Sequence, residues 1–195
     1  MDGLSISVLT ICGLEELSLH GARGVTHVLS ILDPEQPDPE AFGAYGEHRR
    51  AVLRFHDTIE PMPGKILPEP AHVDAILDFG RSLERAVEGQ SSDQGGHLLV
   101  HCHAGISRST AAMAMMLTQI APHWSERQVL DHLVQVRPKA WPNSRMMAFA
   151  DERLGRRFVP ALGKLYRRQL EIFPHIREFM LTNARSYEVG LADDA

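Results

Sequence analysis

The sequence predicts an α/β domain with a mainly parallel central sheet of about four to five strands flanked by helices. Three observations predict it. Strand-like runs at Ser5–Ile11, Thr26–Leu32, Ala51–His56 and His97–His101 are separated by stretches with helical periodicity. Strands that alternate with helices pair in parallel through crossovers. The run His97–His101, HLLVH, is short, apolar and bounded by Gly95 and Gly96, as suits a buried strand.

At 195 residues, 44% hydrophobic and 23% charged, the chain is long enough for one sizeable core. A net charge of −5 argues against a nucleic-acid binder. Two cysteines do not make a disulfide framework, so a reducing, cytoplasmic setting is expected. No Lys or Arg precedes Arg23, which argues against a secretory leader. The longest unbroken apolar run, Ala111–Leu117, is too short for a membrane span.

In chain order, Ser5–Ile11 alternates and is rich in β-branched residues, and Cys12 beside it reads as core. Leu14–His20 reads as a short helix ending at Gly21. Thr26–Leu32 is the second strand, and the Pro-rich acidic segment Asp33–Glu40 a solvated loop. A short helix is expected around Glu40–Arg50, then a third strand, Ala51–His56, with Asp57 at its end. Pro61, Pro63, Pro68 and Pro70 stiffen the long connection after that strand, and such connections are more often functional than accidental. Val73, Ile76, Leu77, Leu83 and Val87 then recur at helical spacing between Pro70 and Gly89. Gly80 on that stripe allows close packing, and residues 89–96 read as a flexible link.

His97–Ile120, HLLVHCHAGISRSTAAMAMMLTQI, organises the rest. A strand, a tight turn and a helix apolar almost all round would aim backbone N–H groups and a helix dipole at one point. That point suits a doubly charged oxyanion such as a phosphate monoester. The turn supplies His103, Ala104, Gly105, Ile106 and Ser107, with Gly105 free to take the positive φ that turns amides inward. Arg108 offers a planar fork for two phosphate oxygens. A helix N-terminus and a guanidinium would pull the Cys102 thiol well below its free pKa of ~8.5, making a nucleophile. Ser109 could donate a hydrogen bond to that sulfur. His101 either orients the loop or is a core histidine. His97, His101, Cys102 and His103 do not suggest a metal site, because neighbouring strand side chains point to opposite faces. No metal or other cofactor is expected.

The nine residues HCHAGISRS resemble the H-C-x5-R-[ST] signature loop of the protein tyrosine phosphatase superfamily, in the form found in dual-specificity phosphatases. Further on, a Ser125–Gln128 capping box opens a helix that stops at Arg137-Pro138. The next segment, RPKAWPN, is similar to the R-P-x-x-x-P-N run of those phosphatases. By that resemblance Asn143 braces the phosphate loop; a plain helix N-cap at Asn143 or Ser144 is the alternative. The resemblance covers roughly residues 5–158. It implies a catalytic domain over 1–159 and a helical extension over 160–195, packed on that domain or following it. Residues 153–168 hold six basic side chains and no acidic one beyond Arg153, either a solvated face or a patch for an acidic partner.

Parallel strands put Asp57 and Cys102 at the same sheet edge, where ligands of such sheets bind. That pairs a nucleophile with a general acid for two-step phosphoryl transfer. The resemblance also places the acid at Asp57, although the Asp57–Cys102 interval is longer than the family leads one to expect. Glu60 is the alternative; Asp33 ends a strand one step too early, and Asp74 and Asp78 read as a solvated helix face. The expected activity is hydrolysis of phosphotyrosine in a phosphorylated protein or peptide, with phosphoserine and phosphothreonine left open as further substrates. A phosphoinositide or small phosphate-ester phosphatase of the same fold is the alternative, although such enzymes tend to carry Lys in the loop and this one has none. A non-catalytic phosphoprotein-binding module is a second, which Cys102, Arg108 and Ser109 argue against.

Overall fold

A computed structural model describes residues 6–85 and 95–195. Strands β1 (Ile6–Cys12), β2 (His27–Leu32), β3 (Arg49–Arg54) and β4 (Gly96–His101) form one sheet in the order β1-β4-β2-β3. Every neighbouring pair is parallel. The inner strands β2 and β4 are buried almost throughout, which is why HVLSIL and HLLVH read as continuous runs. The edge strand β3, RRAVLR, mixes partly buried and exposed positions and has no fully buried one.

Helices α1 (Pro70–Arg85), α2 (Arg108–Ile120), α3 (Glu126–Val136), α4 (Ser144–Leu154), α5 (Phe158–Ile172), α6 (Ile176–Thr182) and α7 (Ser186–Asp193) complete the chain. α2 is sealed from Arg108 to Thr118, so a helix apolar all round lies at the centre of the main core. Gly80 lets α1 approach it: a Cβ there would stand 2.0 Å from Gln119 Oε1 and 3.2 Å from Met116 Cγ. Cys12, Leu17, Val25, Val28 and Leu99 form a second, smaller core. Alternation along β4 sends Leu98, Val100 and Cys102 into the main core and Leu99 into the small one. Cys12 and Cys102 therefore belong to opposite faces of the sheet, and burial pushes the Cys12 thiol up to about 12.

Several boundaries differ from expectation. The Glu40–Arg50 helix shrinks to a 3₁₀ turn over Glu40–Ala44, preceded by another over Leu14–His20. Gly43 and Gly46 disfavour helix here, and Arg49 and Arg50 join β3 opposite His27 and Val28. β3 ends at Arg54 because His56 turns to the Pro-rich loop: its N–H donates to Ile66 O (2.8 Å) and its Nδ1 accepts from Ile66 N–H (2.9 Å). The expected end of the first long helix, near Val87–Gly89, and most of the 89–96 link lie outside the described residues.

The division at 159/160 also needs correction, because it falls inside α5. Phe158 and Leu162 on either side of it are fully buried in the main core, and Pro160 takes the first turn, where proline costs no hydrogen bond. Val189 and Ala192 of α7 join the same core. A Cβ on Gly163 of α5 would stand 2.5 Å from Leu191 O, so α5 and α7 pack backbone to backbone. The basic 153–168 stretch is partly engaged within the fold: Arg153 pairs with Asp74, and Arg167 donates to the carbonyls of Ala192 and Asp193. Arg157, Lys164 and Arg168 line a groove between α3 and α5.

Candidate active site

Four parallel strands end at one edge, and the residues just past their ends build the site. Asp33 follows β2, Asp57 lies three residues past β3, Cys102 follows β4, and Gly13 follows β1. The β4–α2 loop is held from outside. His103 O accepts from Leu14 N–H (2.9 Å), Ala104 O from Arg137 Nη2 (3.0 Å), Gly105 O from Arg137 Nε (2.9 Å) and Ile106 O from Trp141 N–H (2.9 Å). Four consecutive carbonyls thus point away from the loop's centre. In a trans peptide the next residue's N–H points the opposite way, and no peptide among the described residues is cis. The amides of Ala104, Gly105, Ile106 and Ser107 therefore face inward. Glu16 holds Arg137 in place through Oε1 and Oε2, both at 2.9 Å.

Gly105 makes this curl possible, with φ +68°. It also lies so close to β1 that a Cβ would stand 2.3 Å from the carbonyl carbon of Cys12. Arg108 follows at the start of α2 and is 2% exposed. Its Nη1 donates to Phe55 O and lies 2.6 Å from Asp33 Oδ1, while its Nε has no partner among the described residues. Cys102 Sγ lies 3.2 Å from Ser109 Oγ. Behind the loop, His101 Nε2 meets Ser30 Oγ at 2.6 Å, and burial lowers the His101 pKa to about 4, so its ring is neutral near pH 7.

Asp57 is the most heavily bonded carboxylate of the edge. Its Oδ1 accepts from Ser107 Oγ (2.7 Å), Asn143 Nδ2 (2.9 Å) and Arg185 Nη1 (3.0 Å). No donor among the described residues reaches its Oδ2. Burial by itself would raise this carboxyl's pKa, but the Arg185 and Arg108 guanidiniums, helped by Ser107 and Asn143, hold it below the ordinary value.

Asn143 takes the helix-cap role left open by the sequence and adds a contact of its own. It caps α4, accepting from Met146 N–H (3.1 Å), and its amide nitrogen braces Asp57. The direct brace is to the acidic loop, not to the phosphate loop as the resemblance implied. Ser107 likewise spends its hydroxyl on Asp57, leaving its backbone N–H to the loop's centre. Glu60 is exposed and does not line the cleft that Asp33, Asp57 and Cys102 share.

That cleft has a volume of about 320 Å³. Its second wall comes from the C-terminal segment, as Ile176, Phe179, Met180, Asn183 and Arg185. Sequence reasoning missed this wall entirely. Nothing in a run such as TNARSYEVG signals that an arginine will be buried beside the strand ends. Arg137 and Trp141 were also missed as loop anchors, though they sit in the RPKAWPN segment already singled out.

No family model matches the chain. Dual specificity protein phosphatase 15 from Mus musculus is 30% identical over 152 residues, which cover 77% of this chain and 53% of that protein; the Rattus norvegicus protein gives the same values. The chain thus spans about half the length of the curated relatives it matches. A crystal structure of DUSP15 superposes with a TM-score of 0.55 at 26% identity, covering 87% of this chain and 94% of the other. The chain belongs to the protein tyrosine phosphatase superfamily, with its dual-specificity members. Human DUSP28 has the same fold at 17% identity, with a TM-score of 0.54 over 83% of this chain and 97% of the other. Within this superfamily fold, no helix among the described residues is long and apolar enough to cross a membrane.

Proposed function

We propose that the protein is a cysteine-based phosphatase that hydrolyses phosphotyrosine, and to a lesser extent phosphoserine or phosphothreonine, through a cysteinyl-phosphate. The observation that carries this reading is the outward anchoring of the four loop carbonyls. It leaves four inward N–H groups, with Cys102 at one end and the buried Arg108 at the other. Such a cradle suits three phosphate oxygens, which it can hold without reorganising.

In the first step Cys102 Sγ attacks phosphorus and the bond to the phenolate oxygen breaks. Asp57 Oδ2, which no donor among the described residues reaches, delivers its proton to that oxygen. Arg108 and the loop amides balance the charge of the equatorial oxygens, so the reading calls on no metal. In the second step Asp57 takes a proton from water, whose oxygen attacks phosphorus. The S–P bond breaks, the electron pair returns to sulfur, and phosphate leaves. Ser109 Oγ, 3.2 Å from the sulfur, can donate a hydrogen bond to the departing thiolate. Ile176, Phe179 and Met180 provide an apolar wall for the ring of phosphotyrosine.

The test is a panel of phosphotyrosine, phosphoserine and phosphothreonine peptides beside phosphoinositides, with wild type and Cys102→Ser. The expected result is Cys102-dependent turnover, fastest on phosphotyrosine peptides. Turnover that survives in Cys102→Ser removes the nucleophile. Fastest turnover of a phosphoinositide replaces the peptide substrate with a lipid.

A further inference from the structure

Arg185 lies between α6 and α7, yet its side chain is only 3% exposed. The chain turns sharply to bring it inward. Ala184 adopts φ +53°, a left-handed conformation that a residue other than glycine takes at a cost. Arg185 N–H donates to Met180 O (3.1 Å), closing the turn. Inside, Nε and Nη2 donate to the carboxylate of Glu188 at 2.7 and 3.0 Å. Nη1 donates to Asp57 Oδ1 (3.0 Å) and Nη2 also to Ser107 Oγ (2.9 Å).

Glu188 is fully buried and ties the cluster to the segment after α3. It accepts from Trp141 Nε1 (2.6 Å) and Ser144 N–H (2.8 Å). Trp141 in turn anchors Ile106 of the loop. Docking of α7 is satisfied by Arg185 and Glu188 together. The further contacts, to an acidic side chain in the cleft and to a loop hydroxyl, are what an anchoring pair does not need.

We propose that Arg185 is a positioning residue for the acid step, clamping Asp57 Oδ1 against Ser107 so that Oδ2 is presented to the leaving-group oxygen. The inference rests on the phosphatase reading and on Asp57 as its acid. In this role Arg185 acts through Asp57 and Ser107, to which it is bonded. The charged groups around Asp57 are Arg185 from the α6–α7 turn, Arg108 from α2 and Asp33 from the same cleft. Glu188 lies behind Arg185, and Tyr166 of α5 stays a neutral phenol because burial raises its pKa well above the ordinary value.

Two variants test this. Arg185→Lys keeps a cation over Glu188, and with it the fold, but loses the fork that spans Asp57, Ser107 and Glu188. Arg185→Gln with Glu188→Gln removes both buried charges together, avoiding an orphaned one. Each is assayed on a phosphotyrosine peptide and on an aryl phosphate with an activated leaving group, alone and in an Asp57→Asn background. Vanadate binding and thermal unfolding serve as controls. Arg185→Lys should lower kcat on the peptide about tenfold, with a much smaller effect on the activated ester and unchanged vanadate affinity. The double variant should also move the basic limb of kcat/KM to higher pH. In the Asp57→Asn background neither change should cost anything further.

Equal losses on both substrates, additive losses with Asp57→Asn, or full peptide activity in Arg185→Lys overturn the inference and leave the phosphatase reading standing. A wild type without Cys102-dependent turnover overturns both.

Discussion

Asp33 Oδ1 lies 2.6 Å from Nη1 of Arg108, a guanidinium otherwise sealed inside the protein. The carboxylate is 37% exposed, so this ion pair stands at the boundary between core and cleft. A bound phosphate would bring a second set of negative oxygens to the same guanidinium. Asp33→Asn keeps the shape and removes the competing charge. The free protein should then lose about 2–4 °C in Tm, because a buried cation has lost its counterion. Vanadate or phosphate should restore more than it adds to wild type. Thermal scans with and without oxyanion check this; an unchanged ligand-induced shift refutes it.

Ser109→Ala should slow breakdown of the cysteinyl-phosphate more than its formation, since the 3.2 Å contact to Cys102 Sγ matters most when sulfur departs. Rapid mixing with an activated aryl phosphate should give a burst of about one equivalent per site, then a steady state about tenfold slower than wild type. An unchanged steady state without a burst would reduce Ser109 to a helix-start residue.

Gly105→Ala should fail on two counts. Its φ of +68° strains an alanine, and the added methyl would lie 2.3 Å from a β1 backbone carbon. A stability loss of roughly 2 kcal/mol or more is expected, read by denaturant unfolding. Vanadate binding should weaken by more than that stability loss explains, because the inward amides go with the curl.

Asp57→Asn should slow a phosphotyrosine peptide by about 10²-fold or more and an activated aryl phosphate far less, because a good leaving group needs little protonation. Glu60→Gln should do neither. The pH dependence comes from the direction of the Asp57 shift. Its folded-state pKa lies below the ordinary carboxylate value, so the protonated acid in the free enzyme is depleted as pH rises from that lowered value. The kcat/KM profile should therefore peak on the acidic side of neutrality and fall toward higher pH, with that limb flattened in Asp57→Asn. The same shift contributes stability that is present above the unfolded-state pKa and is lost as pH falls through the folded-state value.

The sheet and its central helix were legible because their patterns are extreme. HLLVH is apolar but for the histidines at its two ends, the run after Ser109 has no polar face, and only an inner strand and a sealed helix bury such runs. The Ser125–Gln128 capping box was legible because its chemistry is local: Ser125 accepts from Gln128 N–H, and Gln128 returns a bond to Ser125 N–H. The strand ends at Asp57 and Cys102 could be placed at one edge from parallel pairing alone. Arg137, Trp141 and Arg185 were not legible. Their roles depend on hydrogen bonds spanning 32, 35 and 128 residues of sequence to Gly105, Ile106 and Asp57, and no periodicity records such distances. The expected helix at Glu40–Arg50 fails because Gly43 and Gly46 weaken it locally and because Arg49 and Arg50 pair with β2.

Trp141 joins several of these connections in one side chain. Its ring stacks on Tyr166 with centroids 4.3 Å apart, its Nε1 meets Glu188, and its backbone holds Ile106. The chain's other tryptophan, Trp124, lies edge-on to His132, with centroids 5.2 Å apart. The protein thus carries a natural optical reporter wired to the loop, and a second indole packed against a histidine. The part of an oxyanion-induced change in intrinsic emission that is lost in Trp141→Phe would report on the loop, and occupancy could be followed by light without any label.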